Sequence, residues 1–351
     1  MSWNAEKLQA LREKYPGGDS VTVFDPHFKE ISEYIFGAGG YRPAPYAGIP
    51  SFLAAPLMAH TAPEFTSLQV AMLGVPMDLA VTNRSGSRFG PRAVRTIERI
   101  GPYNEGLRVA PLHQMKVADI GDVPFLSRYD LAQSHRDIEA HAEKIVAEGI
   151  LPLSVGGDHS ISLPLLRAVA RNRPVGLLHV DAHCDTGGPF DRERFHHGGP
   201  FFRHAVLEGL VDPERAIQIG IRGATEYIWE FSTVSGMTVV HAQDFETRGL
   251  ASIIAEARNV LGDGPVYVSF DVDSLDPPFA PGTGTPEVAG LTPREVREIL
   301  RSLKGMNVVG GDVVEVAPQY DATTNTAQNA AQVLFEILSL MYFSPSLKKA
   351  A

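Results

Sequence analysis

The chain has 351 residues, 44% of them hydrophobic, and a formal net charge of −10. That length and apolar share are ample for one large core, and the acidic balance argues against nucleic acid and anionic membranes as partners. It suits a cationic small molecule, or solubility alone. Cys184 is the one cysteine, so no intramolecular disulfide can form. The segment Met1 to Lys7 lacks the basic and apolar regions of a signal peptide, and no run of about 18 apolar residues occurs. These features predict a soluble, cytoplasmic protein.

In chain order, residues 3–14 read as a short helix with Trp3, Leu8 and Leu11 on one side, ended by Tyr15-Pro-Gly-Gly-Asp19. Residues 20–66 are rich in Gly, Pro and aromatic residues and read as an irregular arm. Its aromatics, among them Phe24, Phe28, Tyr34, Phe36, Tyr41 and Tyr46, predict packing against the body or a neighbouring subunit. From residue 67 short apolar runs alternate with longer amphipathic stretches. Strands are predicted at 68–74, 151–155, 175–181, 216–220, 238–242, 265–272 and 307–315. Helices are predicted at 91–99, 129–148, 161–172, 200–210, 224–234, 247–261, 292–304 and 325–341.

The apolar runs are continuous, as in strands covered on both faces. Alternation of this kind argues an α/β fold: a single three-layer domain around a mostly parallel, doubly wound sheet. The simplest division is an arm, 1–66, and one domain, 67–345.

In such sheets, sites form past the carboxyl ends of the strands. The polar motifs sit there. One predicted strand ends in Asp158 and His159, another in Asp181, His183 and Asp185, and a third in Asp271 and Asp273. Spacing by two puts the acids and imidazole on one face while the chain stays extended. Clustered acids repel in a poorly solvated site, and cations relieve that. Asp181, Asp185, Asp271 and Asp273 bring four negative charges, and His159 and His183 are neutral ligands. Two divalent cations would balance them. Carboxylates with some imidazole suit Mn²⁺, with Ni²⁺, Co²⁺ and Zn²⁺ left open. Cys184, between ligands, should face the opposite side of the strand as a small core residue.

"GGDHS" (156–160), "DAHCD" (181–185) and "SFDVDSLDPPFAPGTGTPE" (269–287) resemble the three signatures of the ureohydrolases, the arginase and agmatinase family. "NRSGSRFGPRAVR" (83–95), "HHGGPFFR" (196–203), "IQIGIRG" (217–223) and "GGDVVEVAPQYD" (310–321) support the match, which runs over about 67–342. The wording is nearer the agmatinase and guanidino-acid hydrolase branch than true arginase.

The resemblance implies an arginase-like α/β fold and a binuclear centre, usually manganese. By motif position His159, Asp181, Asp185 and Asp271 would hold one metal. Asp181, His183, Asp271 and Asp273 would hold the other. A bridging hydroxide, oriented by Asp185, would attack a guanidinium carbon and release urea and an amine. His197 matches the proton shuttle, with His196 its neighbouring rival, and Glu315 matches the acid that pairs with the guanidinium. Asp158 is expected to brace the His159 loop. Family members are usually trimers or hexamers, so a homo-oligomer is implied.

The substrate tail stays open between agmatine, guanidinobutyrate and guanidinopropionate. The loops at 77–87 and 186–197 should choose it, and Asp191, Arg192, Glu193 and Arg194 leave the tail's sign undecided. An arm closing over the pocket would favour free guanidine, a compact substituted guanidine or a biguanide, with nickel as the metal. A metal-dependent deacylase and a non-catalytic subunit of a mixed oligomer are the remaining readings.

Overall fold

A computed structural model describes residues 4–17, 23–36, 44, 46–98, 100–188, 199–223 and 230–347. Eight segments form strands: β1 (Val70–Val75), β2 (Val117–Asp122), β3 (Leu151–Gly156), β4 (Val175–Val180), β5 (Val211–Ile221), β6 (Thr238–His241), β7 (Pro265–Asp271) and β8 (Asn307–Val314). They form one sheet in the order β2-β1-β3-β8-β7-β4-β5-β6. Every pairing between these eight strands is parallel.

Side chains alternate between two cores, as the two-residue period of a strand requires. Val70 and Met72 of β1 enter one core, while Ala71, Leu73 and Val75 enter the other. Val266, Val268 and Phe270 of β7 face the first, and Tyr267 faces the second.

The helices are α1 (Ala5–Lys14), α2 (Pro26–Phe36), α3 (Gly90–Arg95), α4 (Pro111–Gln114), α5 (Leu131–Ala147), α6 (Ser162–Val169), α7 (Phe201–Leu207), α8 (Glu230–Ser235), α9 (Asp244–Arg248), α10 (Leu250–Leu261), α11 (Pro293–Ser302) and α12 (Asn325–Met341). Val94 of α3, Ile253 of α10, Val296 of α11 and Leu334 of α12 fill the first core. Ile138 of α5, Leu163 of α6 and Phe201 of α7 fill the second. Helix–sheet–helix layering is therefore the observed architecture. No helix among the described residues is long and apolar enough to cross a membrane.

Local chemistry sets the boundaries. Helix α5 starts late because the Asp130 side chain accepts from the Gln133 amide. A capping box joins Thr292 and Glu295 at the start of α11. The helix predicted over 247–261 splits into α9 and α10 at Gly249, whose φ is 76°. Residues 224–229 of another predicted helix lie outside the described residues.

Two expectations need correction. The arm at 20–66 is not wholly irregular, because it contains α2. Glu30 of α2 lies 3.3 Å from His113, and Phe28 meets Tyr103 edge to face at 5.3 Å. Phe52 and Phe65, further along the arm, are buried in the two cores, whereas Tyr46 is 86% exposed. Strand β2 was not anticipated, because its run Val-Ala-Asp-Ile-Gly-Asp is broken by acids.

Asp119 of β2 tolerates complete burial because Arg95 grips it with two bonds, Nε to Oδ2 at 2.8 Å and Nη2 to Oδ1 at 2.9 Å. The Phe52 amide also donates to Oδ2. Replacing Asp119 by alanine leaves the mostly buried Arg95 guanidinium with Asp122 alone and strands the Phe52 amide. Urea unfolding should show a loss of about 3–5 kcal/mol.

His135 on α5 is buried and lies 2.9 Å from Ser160 Oγ. Burial, then Arg167 and His204, lower its pKa from 6.5 to about 3. The unfolded chain therefore binds a proton that the fold refuses. Stability is full above pH 6.5 and is lost as pH falls from there toward about 3. His135→Gln keeps a donor near Ser160 and cannot titrate. It should match the parent's melting temperature at pH 7.5 and exceed it at pH 5.

Candidate metal centre

The central strands β3, β8, β7 and β4 bring the motifs to one end of the sheet. His159 begins a short turn just past β3, Asp181 follows β4, Asp271 ends β7, and Glu315 follows β8. Pairing of β3 with β8 explains why Glu315 meets the His159 loop: its Oε1 accepts from the His159 amide at 2.8 Å.

Backbone amides pin one oxygen of three acids. Asp181 Oδ1 accepts from the His183 amide at 2.6 Å and Asp271 Oδ1 from the Asp273 amide at 2.8 Å. Asp273 Oδ1 accepts from the Ala182 amide at 3.2 Å. The second oxygens point into the site. Asp181 Oδ2, Asp185 Oδ2 and Asp271 Oδ2 lie 2.9, 3.1 and 3.2 Å from His159 Nδ1. That nitrogen is buried and has no hydrogen-bond partner.

The other His159 nitrogen, Nε2, sits 2.8 Å from Ser269 Oγ. Ser269 gives its own hydrogen to Asp312 Oδ1 at 2.7 Å, so it accepts from Nε2. The Nδ1 position is thereby left for a positive charge. Burial alone would lower the His159 imidazole, but Asp181, Asp185 and Asp271 outweigh it and hold it well above its ordinary range. A proton or a metal cation must occupy that place.

A second point of convergence lies beside the first. His183 Nδ1 is 3.2 Å from Asp273 Oδ2 and 3.5 Å from Asp181 Oδ1. Thr285 Oγ1 donates to Asp273 Oδ2 at 3.1 Å. Asp181 therefore faces both points, one with each oxygen. Asp271 stands beside the first.

Electrostatics favour cations here. Burial, then Asp273 and Asp181, push the Asp271 carboxyl well above the carboxylate range. Burial and Asp181 push Asp185 up, and burial and Asp158 push Glu315 well up. Divalent charge would relieve all three. The residues therefore fit a pair of divalent metals in donor type, charge and convergence.

Two of these residues hold a left-handed backbone: Asp185 with φ 50° and Glu315 with φ 63°. Such conformations are costly for non-glycine residues, and the surroundings must enforce them. Asp158 does brace its loop, accepting from Ala80 N and from Ser160 N and Oγ. Cys184 is buried. His196, His197 and residues 191–194 lie outside the described residues.

One residue escaped the sequence reading. His179 falls with His159, Asp181 and Asp185 in a group whose donor atoms lie within 4.8 Å of one another. Its signal was the same two-residue spacing, one step before Asp181. It was read as part of the apolar run.

A cluster of carboxylates and imidazoles thus lies at the carboxyl ends of a parallel α/β sheet, the place where such folds build their sites. Residues 68–339 match the model of the arginase family. The chain is 46% identical over 300 residues to a guanidinopropionase of Pseudomonas aeruginosa, spanning 84% of this chain and 92% of that protein. It is 48% identical over 282 residues to a mitochondrial agmatinase of Gallus gallus, spanning 78% of this chain and 81% of that one. The solved proclavaminate amidino hydrolase of Streptomyces clavuligerus superposes with a TM-score of 0.80 at 34% identity, covering 85% of this chain and 99% of that one. The chain belongs to the arginase family, and its fold is arginase-like.

Proposed function

We propose that this enzyme, an amidinohydrolase, hydrolyses a guanidino compound to urea and an amine at a centre of two divalent metals. One observation carries the reading: three carboxylate oxygens converge on the unpartnered His159 Nδ1 while Asp181 also faces His183. His159, Asp181, Asp185 and Asp271 would hold one ion. Asp181, His183, Asp271 and Asp273 would hold the other. When bound, two such ions supply a deprotonated water at neutral pH.

The chain's own groups do the rest. Glu315 offers a carboxylate edge to the substrate guanidinium, fixing its carbon over the site. Asp185 orients the attacking oxygen. As water adds to the guanidinium carbon, the bond to the substituted nitrogen breaks. His197 hands the leaving amine its proton.

The substrate is a guanidino compound of the agmatine, guanidinobutyrate or guanidinopropionate type. The likeness to a guanidinopropionase and an agmatinase supports that range. Manganese is the proposed metal and nickel the alternative. The active form is a homotrimer or homohexamer in the cytoplasm. Residues 67–345 carry the chemistry and residues 1–66 form the arm.

The test is urea release by protein loaded separately with Mn²⁺ and Ni²⁺. The panel holds agmatine, guanidinobutyrate, guanidinopropionate, arginine, free guanidine and a biguanide. Turnover of one of the three longer compounds is the expected result. Preference for guanidine or the biguanide would move the assignment to compact substrates. No urea from any, with one ion per chain, would point to a deacylase. Activity only after a partner is added would make this a subunit of a mixed assembly.

A further inference from the structure

Gln218 lies wholly buried on β5, in register with His179 on β4. Its amide nitrogen is 2.6 Å from the Cys184 carbonyl oxygen and 2.9 Å from His179 Nδ1. A carbonyl oxygen can only accept, so the group facing it must be the amide nitrogen. The opposite flip would set two oxygens against each other. This orientation leaves Gln218 Oε1 buried without a partner, so the nitrogen's two bonds are what hold it.

Both amide hydrogens are then committed, one to Cys184 and one to His179. His179 Nδ1 must accept, which puts the imidazole hydrogen on Nε2. Nε2 lies 2.7 Å from Asp181 Oδ2 and donates to it. The Asp181 carboxylate is thus held at both ends, by the His183 amide on Oδ1 and by His179 on Oδ2. The same amide clamps the chain at Cys184, immediately before the left-handed Asp185. The ring of Phe202, 4.4 Å away, packs on His179.

Resting on the metal-centre reading above, we propose that His179 is a positioning residue for the shared carboxylate Asp181, set in its tautomer by Gln218, and is not itself a metal ligand. It has the distances of a ligand but no lone pair facing the site. Its bond fixes the Asp181 rotamer so that each oxygen keeps its own side of the centre.

The test uses metal-stripped full-length protein titrated with Mn²⁺ and with Ni²⁺ by calorimetry, alongside its melting temperature. His179→Phe and Gln218→Met should weaken metal binding by roughly 10–100-fold while two ions per chain still bind at saturation. His179→Gln can place an amide nitrogen near the Nε2 position and should recover most of the affinity. A packing role predicts the reverse, with phenylalanine tolerated, glutamine harmful and the metal affinity of all three variants unchanged; that result would overturn the proposal. Loss of one ion from His179→Gln at saturating metal would make His179 a ligand and also overturn it. Parent protein that binds neither ion would instead sink the metal-centre reading on which the proposal rests.

Discussion

Replacing Asp271 by asparagine should lower kcat by roughly 10³-fold or more and reduce bound metal from two ions toward one. Asparagine preserves the shape of the side chain. Its carbonyl oxygen can still accept from the Asp273 amide, as Asp271 Oδ1 does at 2.8 Å. What changes is the atom facing His159 Nδ1, now 3.2 Å from a carboxylate oxygen. An amide nitrogen there would present hydrogens to a cation. The metal-free variant should nonetheless melt no lower than the metal-free parent. The parent's Asp271 carboxyl is pushed well up by burial, Asp273 and Asp181, so removing its charge relieves repulsion. Metal analysis by mass spectrometry and a melting curve of the stripped protein check both parts. Two tightly held ions with activity within tenfold of the parent would remove Asp271 from the centre.

Glu315→Gln should separate substrate binding from metal binding. Glutamine keeps an oxygen for the His159 amide, which donates to Glu315 Oε1 at 2.8 Å. It loses the charge that a guanidinium requires. Breaking such a poorly solvated pair costs about 3–5 kcal/mol, or roughly 10²–10⁴-fold in kcat/KM. Metal content should stay at two ions, because among the described residues Glu315 meets the centre through the His159 amide. A variant with full kcat/KM would take Glu315 out of substrate recognition. A variant that lost metal would make it a brace for the His159 loop.

The candidate site was legible because its donors are local in the chain. Asp181, His183 and Asp185 fall two residues apart where an apolar run stops, as do Asp271 and Asp273. A strand projects such residues to one side whatever its neighbours are. The continuous apolar runs likewise implied a sheet covered on both faces, and the two cores are there. Strand β2 does not stand out in the sequence because its burial depends on a distant partner. Asp119 reads as a strand breaker until Arg95 is placed beside it, 24 residues away along the chain.

The amino-acid order therefore specified the donors, their charge and the strands that present them. Folding supplied the arrangement between strands. Only the pairing of β3 with β8 brings Glu315, 156 residues along the chain, to the His159 amide. Only the β4–β5 register sets Gln218 against His179, and only the β7–β8 register sets Ser269 against Asp312. Those contacts choose which imidazole nitrogen carries a hydrogen, and so which nitrogen can face a metal. No spacing within a single segment encodes that choice, because the hydrogen bonds that make it join segments distant along the chain.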